Sequence, residues 1–142
     1  MKKIAFFALF LSCQLLNAQS VIGKWVTYDD ETKKPKSEVQ IFEQNGLYFG
    51  KVTALLNRPS GEKEVICEKC TGSKKNKPVV GLHIIENMKK SESNYEGGTI
   101  TDPQNGKSYK CTFSLDPKDP ETLVVKGYVG PFHRSQYWKR AK

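Results

Sequence analysis

Residues 94–115, NYEGGTITDPQNGKSYKCTFSL, constrain the fold more than any other stretch of the chain. They read as two strands joined by the turn Asp102-Pro103-Gln104-Asn105-Gly106. Pro103 presets φ for the second position of a turn, and Asn105-Gly106 supplies residues that tolerate positive φ. After the turn, Tyr109, Cys111, Phe113 and Leu115 alternate with Lys110, Thr112 and Ser114. That period of two belongs to a strand with one buried and one exposed face.

The rest of the chain repeats this unit. Residues 22–28 (IGKWVTY) have the β-branched and aromatic content of a first strand. Residues 37–42 alternate Val39 and Ile41 with Glu38 and Gln40, and Gln44-Asn45-Gly46 makes a tight turn into a third strand over residues 47–56. Gly50 within that strand marks a bulge or a close backbone approach. Residues 79–88 (VVGLHIIENM) predict a fourth strand, with residues 89–93 as its exit turn. Strands over 95–101 and 107–115 follow, with Gly97-Gly98 as a bulge, then a turn over 116–120 and strands over 122–129 and 133–140. Eight short strands joined mostly by short connections predict an all-β, antiparallel, up-and-down barrel. At eight strands the interior is either filled by side chains or holds one small ligand.

The N-terminal MKKIAFFALFLSCQLLNA has two lysines, an apolar run and a small residue, Ala18, at a cleavage position, which reads as a signal peptide over residues 1–18. Gln14 and Asn17 interrupt the run too soon for a membrane span. A lipoprotein signal lipidated at Cys13 is the competing reading, disfavoured by Phe10 where leucine is usual and by the short core. The expectation is an exported protein, periplasmic or secreted, with residues 19–142 as a single monomeric domain. Loss of Lys2 and Lys3 leaves 21 basic residues against 15 acidic, a net charge of +6. The lysines cluster at Lys33, Lys34 and Lys36, at Lys74, Lys75 and Lys77, and at Lys89 and Lys90. These read as a solvated surface or as attraction to anionic envelope lipids or glycans. Nucleic acid is not expected, because only Arg58, Arg134 and Arg140 could make planar bidentate contacts and an exported protein rarely meets DNA.

Residues 57–78 are too polar for the core and unusually long for a connection in a compact domain, so they are functional, stapled or disordered. Cys67 and Cys70 favour the staple, since a CxxC in an exported chain reads first as a disulfide. Thiol exchange is a second reading, with Lys69, Lys74 and Lys75 favouring the thiolate, although nothing suggests the strand-to-helix setting of such motifs. Pairing of one of the two with Cys111 is a third. Otherwise Cys111 is a buried inert thiol on the face of Tyr109 and Phe113. Zinc would require Cys67, Cys70, Cys111, His83 and His133 to converge from distant strands, and haem attachment fails because Thr71 follows Cys70. No metal or cofactor is expected.

Gly23-Lys24-Trp25 opens the first strand, and the last carries Trp138 flanked by Arg134 and Arg140. This resembles lipocalin-like barrels, in which such an indole crosses the barrel floor beneath a basic side chain of the last strand. The ordered set Gly23-x-Trp25, Gly50-Lys51-Val52, Cys67-x-x-Cys70-x-Gly72, Pro78-x-x-Gly81-Leu82, Gly97-Gly98-x-Ile100-x-Asp102-Pro103-x-Asn105-Gly106-Lys107-x-Tyr109, Gly127-Tyr128-x-Gly130 and Trp138-x-Arg140 resembles the bacterial domain-of-unknown-function family 2147. The resemblance implies an exported, lipocalin-like small barrel and transfers no catalytic residues.

No nucleophile elbow, HExxH or phosphate-cradling loop is present. Glu96 and Asp102 could be considered as paired carboxylates, but Asp102 before Pro103 is better explained as a turn residue. An enzyme is therefore not expected. The leading reading is a binding module for a small apolar or amphipathic ligand. Its candidate lining is Trp25, Tyr48, Phe49, His83, Tyr109, Phe113, Tyr128 and Trp138, although His83 reads first as a structural residue of its apolar run. The alternatives are a structural or interaction protein of the envelope acting through its lysine-rich surface, and a thiol-redox protein using Cys67 and Cys70. A bulge at Gly50 or Gly97 would reverse the inward assignments that follow it.

Overall fold

The computed structural model describes residues 19–142; the expected signal peptide, with Cys13, lies outside the described residues. Eight strands follow one another: β1 (Gly23–Tyr28), β2 (Pro35–Gln44), β3 (Leu47–Leu55), β4 (His83–Ser91), β5 (Asn94–Thr101), β6 (Ser108–Asp116), β7 (Asp119–Val129) and β8 (Phe132–Arg140). Each pairs antiparallel with the next, and β8 pairs with β1 through Trp25–Arg140 and Val26–Lys139. The sheet thus closes into an up-and-down barrel, which leaves no open edge.

Local chemistry explains the connections. In the β5–β6 turn the Asp102 carboxylate accepts from the Gln104 amide at 2.8 Å, and the Asn105 side chain accepts from the Lys107 amide at 2.8 Å. Asn45 and Gly46 take φ of 53° and 78°, the left-handed pair that a two-residue hairpin requires.

The fourth strand begins later than its apolarity suggests and runs on through residues 89–91, leaving Glu92-Ser93 as the turn. Residues 79–82 instead fasten the long β3–β4 loop to the wall. The amide of Val79 donates to Val65 O at 2.9 Å and that of Gly81 to Val52 O at 2.7 Å, while Val79 and Leu82 are buried. The turn expected over residues 116–120 shrinks to Pro117-Lys118, because Asp116 and Asp119 pair as strand residues.

One end of the barrel is filled. Trp25, Val39, Ile41, Ile85, Met88, Tyr95, Phe113, Leu123 and Trp138 are buried there, each large apolar side chain contributing about 1.5–3 kcal/mol. Tyr95 stacks on Phe113 with centroids 4.8 Å apart, and Tyr48 meets Tyr95 edge-on at 4.7 Å. Two glycines let the wall close in. A Cβ at Gly50 would lie 3.1 Å from Ile85 Cβ, and one at Gly98 would overlap the Glu86 carbonyl oxygen. The pairing register shifts at both places, between Tyr48 and Lys51 and between Tyr95 and Gly98.

Trp25 seals this floor. Its Nε1 donates to Val21 O at 2.8 Å, and the Arg140 guanidinium lies 4.3 Å from the ring centroid while donating to Ser20 O at 2.9 Å. Gly23, with φ of 134°, would place a Cβ only 3.3 Å from that guanidinium. Arg134 takes no part. Six residues along β8 is about 20 Å of strand, which carries it to the opposite end, where it pairs with Asp30.

Candidate ligand-binding cavity

At that opposite end the same walls enclose a cavity of about 1130 Å³, which opens between the β1–β2, β3–β4, β5–β6 and β7–β8 connections. In a meander barrel alternate connections share an end, so these four form the mouth. The inward positions that are bulky near the floor become small or polar near the mouth. On β1, Trp25 gives way to Thr27; on β2, Val39 to Ser37; on β7, Val125 to Gly127; on β8, Trp138 to Gln136. A Cβ at Gly127 would meet nothing nearer than Ile100 Cγ2 and Tyr109 Cβ, each at 3.9 Å.

Polarity in the cavity divides by strand. From β8 to the β1–β2 connection runs a hydrogen-bonded chain. Trp138 Nε1 donates to Gln136 Oε1 at 3.1 Å, Gln136 Nε2 donates to Asp30 Oδ2 at 3.2 Å, and Arg134 pairs with the same carboxylate. Beside it, Thr27 Oγ1 and Ser37 Oγ share a buried hydrogen bond of 2.6 Å. Across the cavity, β4 and β5 present Ile84 and Ile100, flanked by Val52 and Leu55 of β3, Tyr109 of β6 and Val125 of β7. Polarity returns only towards the rim, as at Thr101, whose hydroxyl is bonded to Ser108 at 2.7 Å.

The CxxC segment forms part of the rim. Cys67 and Cys70 are joined in a disulfide, both buried. The Cys67 amide donates to Lys77 O at 2.8 Å and the Asn76 amide to Cys67 O at 2.9 Å, so the loop folds back on itself. It then docks on the β5–β6 turn, with Cys67 Sγ 3.4 Å from Pro103 O. A Cβ at Gly106, where φ is 72°, would overlap Lys69 O. Two motifs 32 residues or more apart in sequence thus make one structure, whose Val65, Ile66, Lys69, Pro103 and Asn105 line the mouth.

Of the aromatic residues expected to line a ligand site, Trp138 and Tyr109 reach the cavity. Trp25 and Phe113 are packed into the filled half, and Tyr48 lies against Tyr95 there. Phe49 and His83 belong to the outer surface, where they surround Phe42 at centroid distances of 5.7 and 5.5 Å. Tyr128 is also on the outer wall, hydrogen-bonded to Thr112 at 3.1 Å. The reason is parity: Phe49 and Tyr128 alternate with Tyr48, Gly50 and Gly127, which face inward. The cavity residues that an aromatic search misses are Thr27, Ser37, Gln136, Val52, Ile84, Ile100 and Gly127. Thr27, Ser37 and Gln136 each stand two places from a core residue, a signal that alternation provides.

The cysteines also settle into distinct places. The Cys67–Cys70 bond leaves neither sulfur as a thiolate and neither paired with Cys111. Cys111 is a free, buried thiol whose pKa is pushed up to about 12 by burial. Lys74 pairs with Glu86 at 2.8 Å, and Lys75 donates to Glu68 O within the loop. Among the described residues, no three His, Cys, Asp or Glu side chains stand where they could hold a metal ion. Among the same residues, no helix is long and apolar enough to cross a membrane.

A family model described as "Uncharacterized protein conserved in bacteria (DUF2147)" matches residues 23–140. Among solved structures, the chain is similar to protein HP1028 from the human pathogen Helicobacter pylori, described as belonging to the lipocalin family. The similarity has a TM-score of 0.72 at 20% identity and covers 87% of this chain and 84% of that one. No curated protein sequence matches the chain.

Proposed function

The chain belongs to the bacterial family DUF2147, and from its lipocalin-like barrel we propose that it is an exported binding protein for a small amphipathic ligand held in the mouth half of the barrel. One observation carries this reading: the barrel is filled from the floor to its middle, then keeps about 1130 Å³ open behind a stapled rim. Eight-stranded walls of this size hold one small ligand when side chains do not fill them. A lipocalin-like fold is typically non-catalytic, and the third cysteine, Cys111, is a buried thiol held neutral by its surroundings. The lysine-rich surface is the weaker reading, because Lys74 and Lys75 are engaged within the protein.

The test is a fluorescence titration with 1-aminoanthracene, an uncharged aromatic amphiphile that brightens in apolar surroundings. The folded protein should bind about one equivalent, and Gly127→Leu, which projects a side chain into the cavity between Ile100 and Tyr109, should weaken binding at least tenfold. Equal binding by both proteins would contradict a ligand site in this cavity.

A further inference from the structure

The division of the cavity into unlike walls specifies its ligand more narrowly, an inference that rests on the cavity being the ligand site. β1 and β5 stand four strands apart in a closed ring of eight, so they face one another across the interior. The wall centred on β1 carries Thr27, Ser37, Gln136, Asp30 and Arg134, with hydrogen-bonding groups from the depth of Trp138 up to the rim. The wall centred on β5 carries Ile84, Ile100 and the ring of Tyr109 and, with Val52, Leu55 and Val125 at its flanks, offers a mainly apolar surface. Its hydroxyls, on Thr101 and Tyr109, lie towards the rim and are bonded to Ser108 and Asn105.

A ligand with one polar head and a flexible apolar tail suits a different arrangement, a polar mouth above a wholly apolar interior. In this barrel such a tail would lie along hydroxyls and an amide whose hydrogen-bonding capacity it could not use, and desolvating those groups without return is unfavourable. We infer that the ligand is a rigid amphiphile with polar groups along one edge and an aliphatic opposite face, of the kind presented by a polyhydroxylated polycycle. Its polar edge lies along β8, β1 and β2 and exchanges hydrogen bonds with Gln136 and the Thr27–Ser37 pair. Its aliphatic face lies on Ile84, Ile100 and Val52.

Cholate and laurate separate the two kinds of amphiphile. Each carries one carboxylate; cholate has its hydroxyls along one face, whereas laurate is polar only at its end. Isothermal titration at concentrations below micelle formation should give cholate binding at least tenfold tighter than laurate. Thr27→Val combined with Ser37→Ala removes both hydroxyls together, leaving neither unpaired, and should weaken cholate about tenfold while leaving laurate unchanged. Gln136→Leu should act in the same direction, and thermal unfolding of each variant reports its folding independently. Laurate binding as tightly as cholate, or equal losses for both probes in the hydroxyl variant, would overturn the inference while leaving the cavity as a ligand site. Failure of both probes, together with failure of 1-aminoanthracene, would overturn the cavity reading itself.

Discussion

Gly98 and Gly127 sit on inward positions of the same barrel, and their surroundings are opposite. A methyl group at Gly98 would overlap the Glu86 carbonyl and press on Met88, whereas one at Gly127 would touch nothing closer than 3.9 Å. At Gly98 the backbone of β4 and the Met88 side chain already occupy the space a side chain would need, whereas at Gly127 that space is open. Strand alternation, reset by the register shifts in β3, β4 and β5, sets which residues face inward in both halves. What separates a half that holds the fold from a half that can hold a ligand is the volume and polarity of those residues.

The largest effect that would test this contrast is expected in the filled half. Phe113→Ala leaves a cavity beneath Tyr95 and should cost about 3–5 kcal/mol, read from urea denaturation. Gly127→Leu in the hollow half should change stability by less than about 1 kcal/mol. A comparable loss at both positions would erase the distinction.

The rim should give a smaller loss. Replacing Cys67 and Cys70 together by serine removes a cross-link closing a very short loop, for which chain entropy alone gives roughly 2 kcal/mol. Thermal unfolding measures it, and 1-aminoanthracene affinity shows whether the loosened rim also affects the cavity. No change in either would mean that contacts with the β5–β6 turn hold the loop without the disulfide.

The smallest effect concerns Cys111 in the barrel wall. With its pKa raised by burial from 9.0 to about 12, the folded thiol keeps its proton where the unfolded thiol would lose it. The stability it contributes is therefore complete below pH 9 and is lost as pH rises toward 12. At pH 8, iodoacetamide should leave Cys111 unmodified in the native protein and alkylate it in urea. Rapid native alkylation would show that this wall opens readily.

The eight strands and their order were legible because turn residues and two-residue alternation are local signals. Asp102 to Gly106 illustrates this: its side chains close their own turn. The floor was legible in part, since Gly23, Trp25 and Arg140 meet as the Gly-x-Trp pattern implies, while Arg134 lies a strand's length away. The cavity was the least legible. Aromatic content pointed to Phe49, His83 and Tyr128, which the register places outside, and no local signal gives absolute register across bulges at Gly50 and Gly97. The docking of the CxxC loop on Gly106 joins residues distant in sequence, and neither segment alone records the contact.

Native mass spectrometry of the protein purified from the cells that make it, beside its Gly127→Leu variant, tests the central claim most directly. The account predicts that the unsubstituted protein retains a noncovalent small-molecule mass, lost on denaturation, and that the folded variant carries none. The same bound mass on both proteins, or none on either, would contradict it.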